Sequence, residues 1–475
     1  MFLRLAVVLL SVSLSFQSHA DEKKIIPPTK ENWSTWQVPS FNEQDTAPLS
    51  QVWPAASSSS RKIAAAQEFT EQNLKPDVVA FRQVYLAATT PDQLDALLVK
   101  ADKEWSTYSP DLKYFTANLI VARSMRGLIW RMRPLFESGS VFSGNRATHG
   151  ASVMILRQIA AGIDTFFPTE QWEAGFAYVT EPSSKMTKSQ QFHSIREFQK
   201  YLSMELVPAL RTAALRSTSL LNQKDAPTYV WDRQIVYGTA TFTDGAKRYV
   251  GFGPGEIYFS TSLLYRGIHD AMVFTAYNQD DVLNLLGRIG KRFGIDSALK
   301  TADVGVTAAE RVELVSESVK KTGFLQLQNY NGNKYGSMAM AAAYTALKTS
   351  VDYQKKAYDY LKDGQATDSF VFNPVNFNAQ SKPKLERAMN NMVSAVSGVA
   401  DIRDPVSGEV IRMNLPEFYK NPYPSLSVLM ATGFEKKTPA EKTMVNEKGE
   451  TLKFRNYLYG SATAWDNQSW SKIVP

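Results

Sequence analysis

Arg123, Arg126, Trp130 and Arg133 follow one another at intervals of three and four residues, the spacing that brings side chains onto one face of a helix. Guanidinium forks match the oxygens of carboxylates and phosphates, and an indole between them offers a flat face to a sugar or a cation. These four residues are the candidate ligand-binding set, although the same spacing also serves a stripe that covers a neighbouring helix. Glu137 follows just beyond them.

Other chemistry is sparse. The chain has four histidines and no cysteine, which removes thiolate ligands, cysteine nucleophiles and disulfides from consideration. His193 is expected on a solvated face with Arg196, Glu197 and Lys200, opposite Phe192, Ile195 and Leu202. His149 aligns with Val153, Leu156, Ala160 and Ile163 at the edge of an apolar stripe. His269 precedes Asp270, but successive helical residues point about 100° apart, so the pair is not expected to form a dyad. No HExxH or EF-hand pattern occurs, and neither a metal nor a cofactor is expected. Gly251-Phe252-Gly253-Pro254-Gly255 lacks the P-loop lysine and loses an amide donor at Pro254, so it reads as the exit of a hairpin rather than a phosphate cradle. Ser-x-x-Lys fragments at 297–300 and 381–384 and the Lys-Thr-Gly at 321–323 do not fall in the order or spacing of a serine acyl-transfer site.

Elements must hold these residues in place. Thr90-Pro91-Asp92 and Ser109-Pro110-Asp111 each set a capping hydroxyl before a proline at the first helical position. Leu94, Leu97, Leu98, Ala101 and Trp105 follow the first at helical spacing, and Leu112, Phe115, Leu119, Ala122, Met125, Ile129 and Met132 follow the second. The second run predicts one long helix carrying the whole arginine stripe and ending near Glu137. Further helices are predicted at about 147–166, 170–179, 188–207, 256–277, 280–293, 308–321, 337–362 and 384–396, with Pro208 expected to break or kink the third. Alternating β-branched and aromatic residues at 229–252, turning at Thr243-Asp244-Gly245, predict a hairpin. Two more are predicted around 404–408 and 446–449.

At the end of that long helix, Glu137-Ser138-Gly139 followed by Gly150-Ala151 resembles the active-site segment of lytic transglycosylases. The resemblance implies that Glu137 is the acid that cleaves peptidoglycan, with Tyr277-Asn278 matching a downstream Tyr-Asn of that family. It covers residues 137–151, and the family's Gly-Leu-Met-Gln continuation is replaced by Ser152-Val153-Met154-Ile155.

The fold class expected is mainly α, of α+β type: a multi-helix body with a central β-hairpin and a mixed, hairpin-containing C-terminal region. Its organisation reads as a signal peptide at 1–20, an extended arm at 21–60 rich in proline and serine with Trp33, Trp36 and Trp53, a helical domain at 61–226, a hairpin and helices of the same body at 227–364, and a mixed α/β region at 365–475. The leader is tripartite: a basic start at Arg4, an apolar run over 5–16 and the small-x-small site Ser18-His19-Ala20 before Asp21. The run is too short to span a bilayer as a helix, so cleavage at about Ala20 and a periplasmic or secreted product are expected, with no transmembrane segment remaining. The net charge of +7 favours anionic partners. No basic run of a nucleic-acid-binding kind appears. The expected function is an exported bacterial envelope protein that binds or scaffolds without catalysis, its partner an anionic envelope polymer or an envelope protein. The alternative is a peptidoglycan-active enzyme using Glu137.

Overall fold

Helix starts follow the local chemistry of the chain. The computed structural model describes residues 69–138, 171–221, 229–237, 248–280, 320, 322–329, 334–361, 382–403, 410–422, 424–426, 442–445 and 451–454. α1 (Pro76–Ala87) opens on a proline at its first position. α2 (Pro91–Glu104) is closed by a capping box: Thr90 Oγ1 accepts from the Gln93 amide, and Gln93 Oε1 accepts from the Thr90 amide. Together these satisfy donors that a helix start leaves open. α3 (Pro110–Ser124) has Ser109 as its cap, and Asp111 in its first turn reaches outward to accept from the Val230 amide.

The long helix predicted through residue 132 stops at Ser124, and α4 (Leu128–Ser138) begins after a break. Gly127 explains it. Its φ is +60°, a region that costs other residues a steric clash, and its amide donates to the Tyr178 carbonyl at 2.9 Å. A Cβ there would meet Met186 Sδ at 2.9 Å and the Glu181 carbonyl at 3.2 Å. The Tyr178 carbonyl belongs to α5 (Trp172–Thr180), and Glu181 is the residue that follows its last turn.

The helix predicted over 188–207 begins later. Lys188–Gln190 forms a separate short turn, and α6 (Ile195–Tyr201) starts at the Ser194 cap. Pro208 does not break it. The chain widens to a π turn at Leu202–Leu206, where the Val207 amide donates to the Leu202 carbonyl, and passes directly into α7 (Val207–Ser219). The wider turn absorbs the missing proline donor upstream.

β1 (Tyr229–Asp232) pairs antiparallel with β2 (Tyr249–Phe252), with Tyr229 opposite Phe252 and Asp232 opposite Tyr249. The central hairpin is therefore present but short, because the chain leaves β1 into the small helix α8 (Gln234–Tyr237). α9 (Pro254–Ala276) starts where the glycine-rich exit was predicted, with Glu256 Oε2 accepting from the Gly253 amide. α10 (Tyr335–Leu361) lies antiparallel beside it: Ser350 Oγ donates to the Ser262 carbonyl, and Tyr353 stacks on both Tyr258 and Tyr265. Gly336 admits this approach at the far end, since a Cβ would sit 2.7 Å from the Ala276 carbonyl. Met340, Leu347, Val351 and Tyr358 of the predicted seam are buried. α11 (Lys382–Ser397) leads into the hairpin β3 (Val399–Arg403) and β4 (Val410–Asn414), then α12 (Leu415–Lys420) and a last hairpin, β5 (Lys442–Val445) and β6 (Thr451–Phe454).

The architecture is mainly helical, with small antiparallel hairpins. One apolar core runs from Leu74 through the faces of α2, α3, α7, α9 and α10 to Tyr419. A pair of buried glutamines ties its elements together: Gln199 Nε2 donates to the Phe274 and Tyr277 carbonyls, and Gln328 Nε2 to Gln199 Oε1. The central hairpin is held by a charge network in which the fully buried Asp232 accepts from Arg82 Nη1 at 2.6 Å and from Arg248 Nη2 at 2.9 Å, while Arg82 also binds Glu71. The arm at 21–60 and the helices predicted near 147–166, 280–293 and 308–321 lie outside the described residues, apart from Asp280 and Lys320.

Candidate functional site

The break at Gly127 divides the arginine stripe between two helices. Arg123 stands in the last turn of α3, Arg126 in the break, and Trp130 and Arg133 on α4. Arg126 is buried and both of its Nη atoms bond inside: Nη1 to the Tyr178 carbonyl, and Nη2 to Asp92 Oδ1 and the Pro182 carbonyl. Its guanidinium also lies 5.0 Å from the centre of the Tyr178 ring. It fixes α5 and the following loop to the break. Trp130 is half-buried, its carbonyl accepting from Gln191 Nε2, and Arg133 is exposed. Glu137 lies in the last turn of α4; the segment with Gly150-Ala151, and His149 with it, lies outside the described residues. Tyr277 is fully buried, and the Asn278 amide donates to the Gln326 carbonyl. His193 is exposed just ahead of the Ser194 cap.

The structure gives Arg123 different companions. Asp102 on α2 accepts from Arg123 Nη1 at 2.6 Å through Oδ2 and pairs with Arg216 Nη2 of α7 at 2.8 Å through Oδ1. Trp105, one turn further along, lies 5.0 Å from the Arg216 guanidinium and 5.4 Å from Lys113 Nζ, measured to the ring centre. Its indole N–H donates to the Lys113 carbonyl. Two arginines and a lysine thus surround one carboxylate and one indole. The Arg123 side chain keeps 42% of its surface exposed, so donors remain for an incoming anion beside an aromatic face. Sequence reasoning missed Trp105, Lys113 and Arg216 because three separate helices or their flanks supply them. The only local signal was the three-residue step from Asp102 to Trp105 on a helical face.

A second cluster corrects a sequence expectation. His269 Nδ1 lies 2.7 Å from Asp270 Oδ1, and His269 Nε2 lies 2.7 Å from the Tyr419 hydroxyl of α12. The 100° offset describes where Cβ atoms point, but side chains of this length bend back along the helix surface and meet. The histidine and aspartate are both buried. Burial lowers the His269 pKa, and the hydrogen bond and charge of Asp270 oppose that without cancelling it. Burial raises Tyr419. Both ring nitrogens are occupied within the protein, so the cluster offers no open nucleophile or base.

Among the described residues, no three His, Asp or Glu side chains gather as a metal site, and no helix is long and apolar enough to cross a membrane. Comparison with family models, curated proteins and solved structures finds no match.

Proposed function

We propose that this chain is an exported binding or scaffold protein of the bacterial cell envelope, which holds an anionic polymer at the surface around Arg123. The observation that carries the binding reading is Asp102 held between Arg123 and Arg216 beside Trp105. Cations exceed acids there, and the net charge of +7 adds long-range attraction to polyanions. Export rests on the order of Arg4, the apolar run over 5–16 and Ser18-His19-Ala20. Supporting binding over catalysis, the buried histidine with a carboxylate neighbour is closed off by Tyr419.

Residues 21–475 titrated with dextran sulfate, with uncharged dextran as the control, test this reading. Binding confined to the sulfated polymer and weakened by salt is expected, because exposed charges are screened within about 10 Å at 0.1 M ionic strength. Equal binding to both polymers, or to neither, overturns it.

A further inference from the structure

His269 joins parts of the chain that are distant in sequence. On α9 it faces Asp270 and, one turn back, Arg266, whose Nε is 3.6 Å from Asp270 Oδ1. From α12 it receives Tyr419, whose ring stacks on Tyr344 of α10 with centres 5.5 Å apart. Behind that pair, Lys348 Nζ lies 5.7 Å from the Tyr344 ring, and the Tyr344 hydroxyl donates to the Val396 carbonyl of α11. Among the described residues, the titratable or charged groups that face the imidazole are Asp270, Arg266 and Tyr419, with Tyr344 and Lys348 stacked behind the tyrosine.

The proton positions follow from the partners. An ionised carboxylate only accepts, so Nδ1 carries the proton toward Asp270, and Nε2 of the neutral ring is left to accept from the Tyr419 hydroxyl. A second proton on the ring turns Nε2 into a donor. The tyrosine must then rotate its own O–H away, and no other acceptor is bonded to that hydroxyl among the described residues. Protonation therefore buries a positive ring and orphans a donor, both unfavourable in a site this enclosed.

We propose that His269 is a proton-operated latch: the neutral ring holds α12 against α9 and α10, and protonation releases α12. The direction of the pH response follows from burial. Because the folded protein favours the neutral ring, the latch is fully engaged above the ordinary histidine value of about 6.5. It weakens as the pH falls below that value toward the lowered folded one.

Hydrogen exchange of peptides covering residues 415–420, in the full chain and corrected for intrinsic exchange rates, is compared at pH 7.5 and pH 5. Protection is expected to fall at pH 5, by up to about tenfold for each pKa unit by which the fold lowers His269. Tyr419→Phe removes the hydroxyl that the neutral ring accepts, and His269→Gln keeps an acceptor that does not titrate. His269→Gln should lose the pH dependence, while Tyr419→Phe should lower protection at pH 7.5 and keep only the smaller pH response owed to burying a charged ring. Equal wild-type protection at both pH values overturns the proposal, as does an unchanged pH response in either folded variant.

Discussion

Replacing Asp232 with asparagine should destabilise the protein by about 3 kcal/mol, at the lower end of the 3–5 kcal/mol that follows removal of one partner from a buried ion pair. Asp232 is fully buried and accepts from Arg82 Nη1, Arg248 Nε and Nη2, and the Gln234 amide. Asparagine keeps the shape but not the charge, leaving Arg82, whose side chain is only 10% exposed, with the half-exposed Glu71 as its remaining carboxylate partner among the described residues. Arg248 is 33% exposed and can recover water, which is why the lower end applies. Such a loss is about 150-fold in the folded-to-unfolded ratio and a large part of a net stability of about 5–15 kcal/mol. Urea unfolding followed by fluorescence measures it. Burial alone would raise the Asp232 carboxyl, but its bonds to Arg248, Arg82 and the Gln234 amide hold it below the usual carboxylate range. The difference between wild type and variant should therefore be constant above the ordinary value of about 3.9 and shrink as the pH falls through the lowered folded value. Adding Arg82→Met should cost less in the variant than in the wild type, since the two residues are in contact. A loss below about 1 kcal/mol, the scale of exposed ion pairs, or simple additivity with Arg82→Met, would refute the claim that this network fastens the hairpin to α1.

Gly127→Ala should destabilise by about 1–3 kcal/mol, because a side chain is added at a φ of +60° and its Cβ would press on Met186 Sδ; thermal unfolding reads this, and an unchanged midpoint would show that the break does not depend on the glycine. Export predicts that the mature chain begins at Asp21 when its N-terminus is sequenced from the envelope fraction, and an uncleaved Met1 start there would remove that part of the reading. Incubation with purified peptidoglycan should leave the polymer intact for both the wild type and Glu137→Gln. Digestion that disappears in a folded Glu137→Gln variant would instead establish the glycosidic alternative.

What the sequence made legible was local. Thr90-Pro91-Asp92 and Ser109-Pro110-Asp111 announce their helices within three residues and both helices start there, while the helix expected from about 256 starts two residues earlier at Pro254. The break between α3 and α4 was hidden because Met125, Ile129 and Met132 continue the apolar period across it, while the carbonyl that holds Gly127 belongs to Tyr178. Of the break or kink expected at Pro208, no break occurs, because the π turn ahead of it, which has no sequence pattern of its own, passes directly into α7. The basic cluster was half visible: Arg123 was singled out, yet its partners Asp102, Trp105 and Arg216 come from other elements. The His269 cluster was missed for two reasons. A rule about Cβ direction was applied to side chains long enough to bend, and Tyr419 lies 150 residues away.

The central claim is that an anionic polymer is held around Arg123, Trp105 and Lys113. Its most direct test sets Arg123→Glu and Lys113→Glu against Arg133→Glu, which makes the same change of charge on the exposed flank of α4. Each folded variant is titrated with dextran sulfate at fixed ionic strength. The account predicts that Arg123→Glu and Lys113→Glu weaken binding about tenfold or more, while Arg133→Glu produces only the smaller loss owed to net charge. Equal losses in all three variants, or the largest loss in Arg133→Glu, would contradict it.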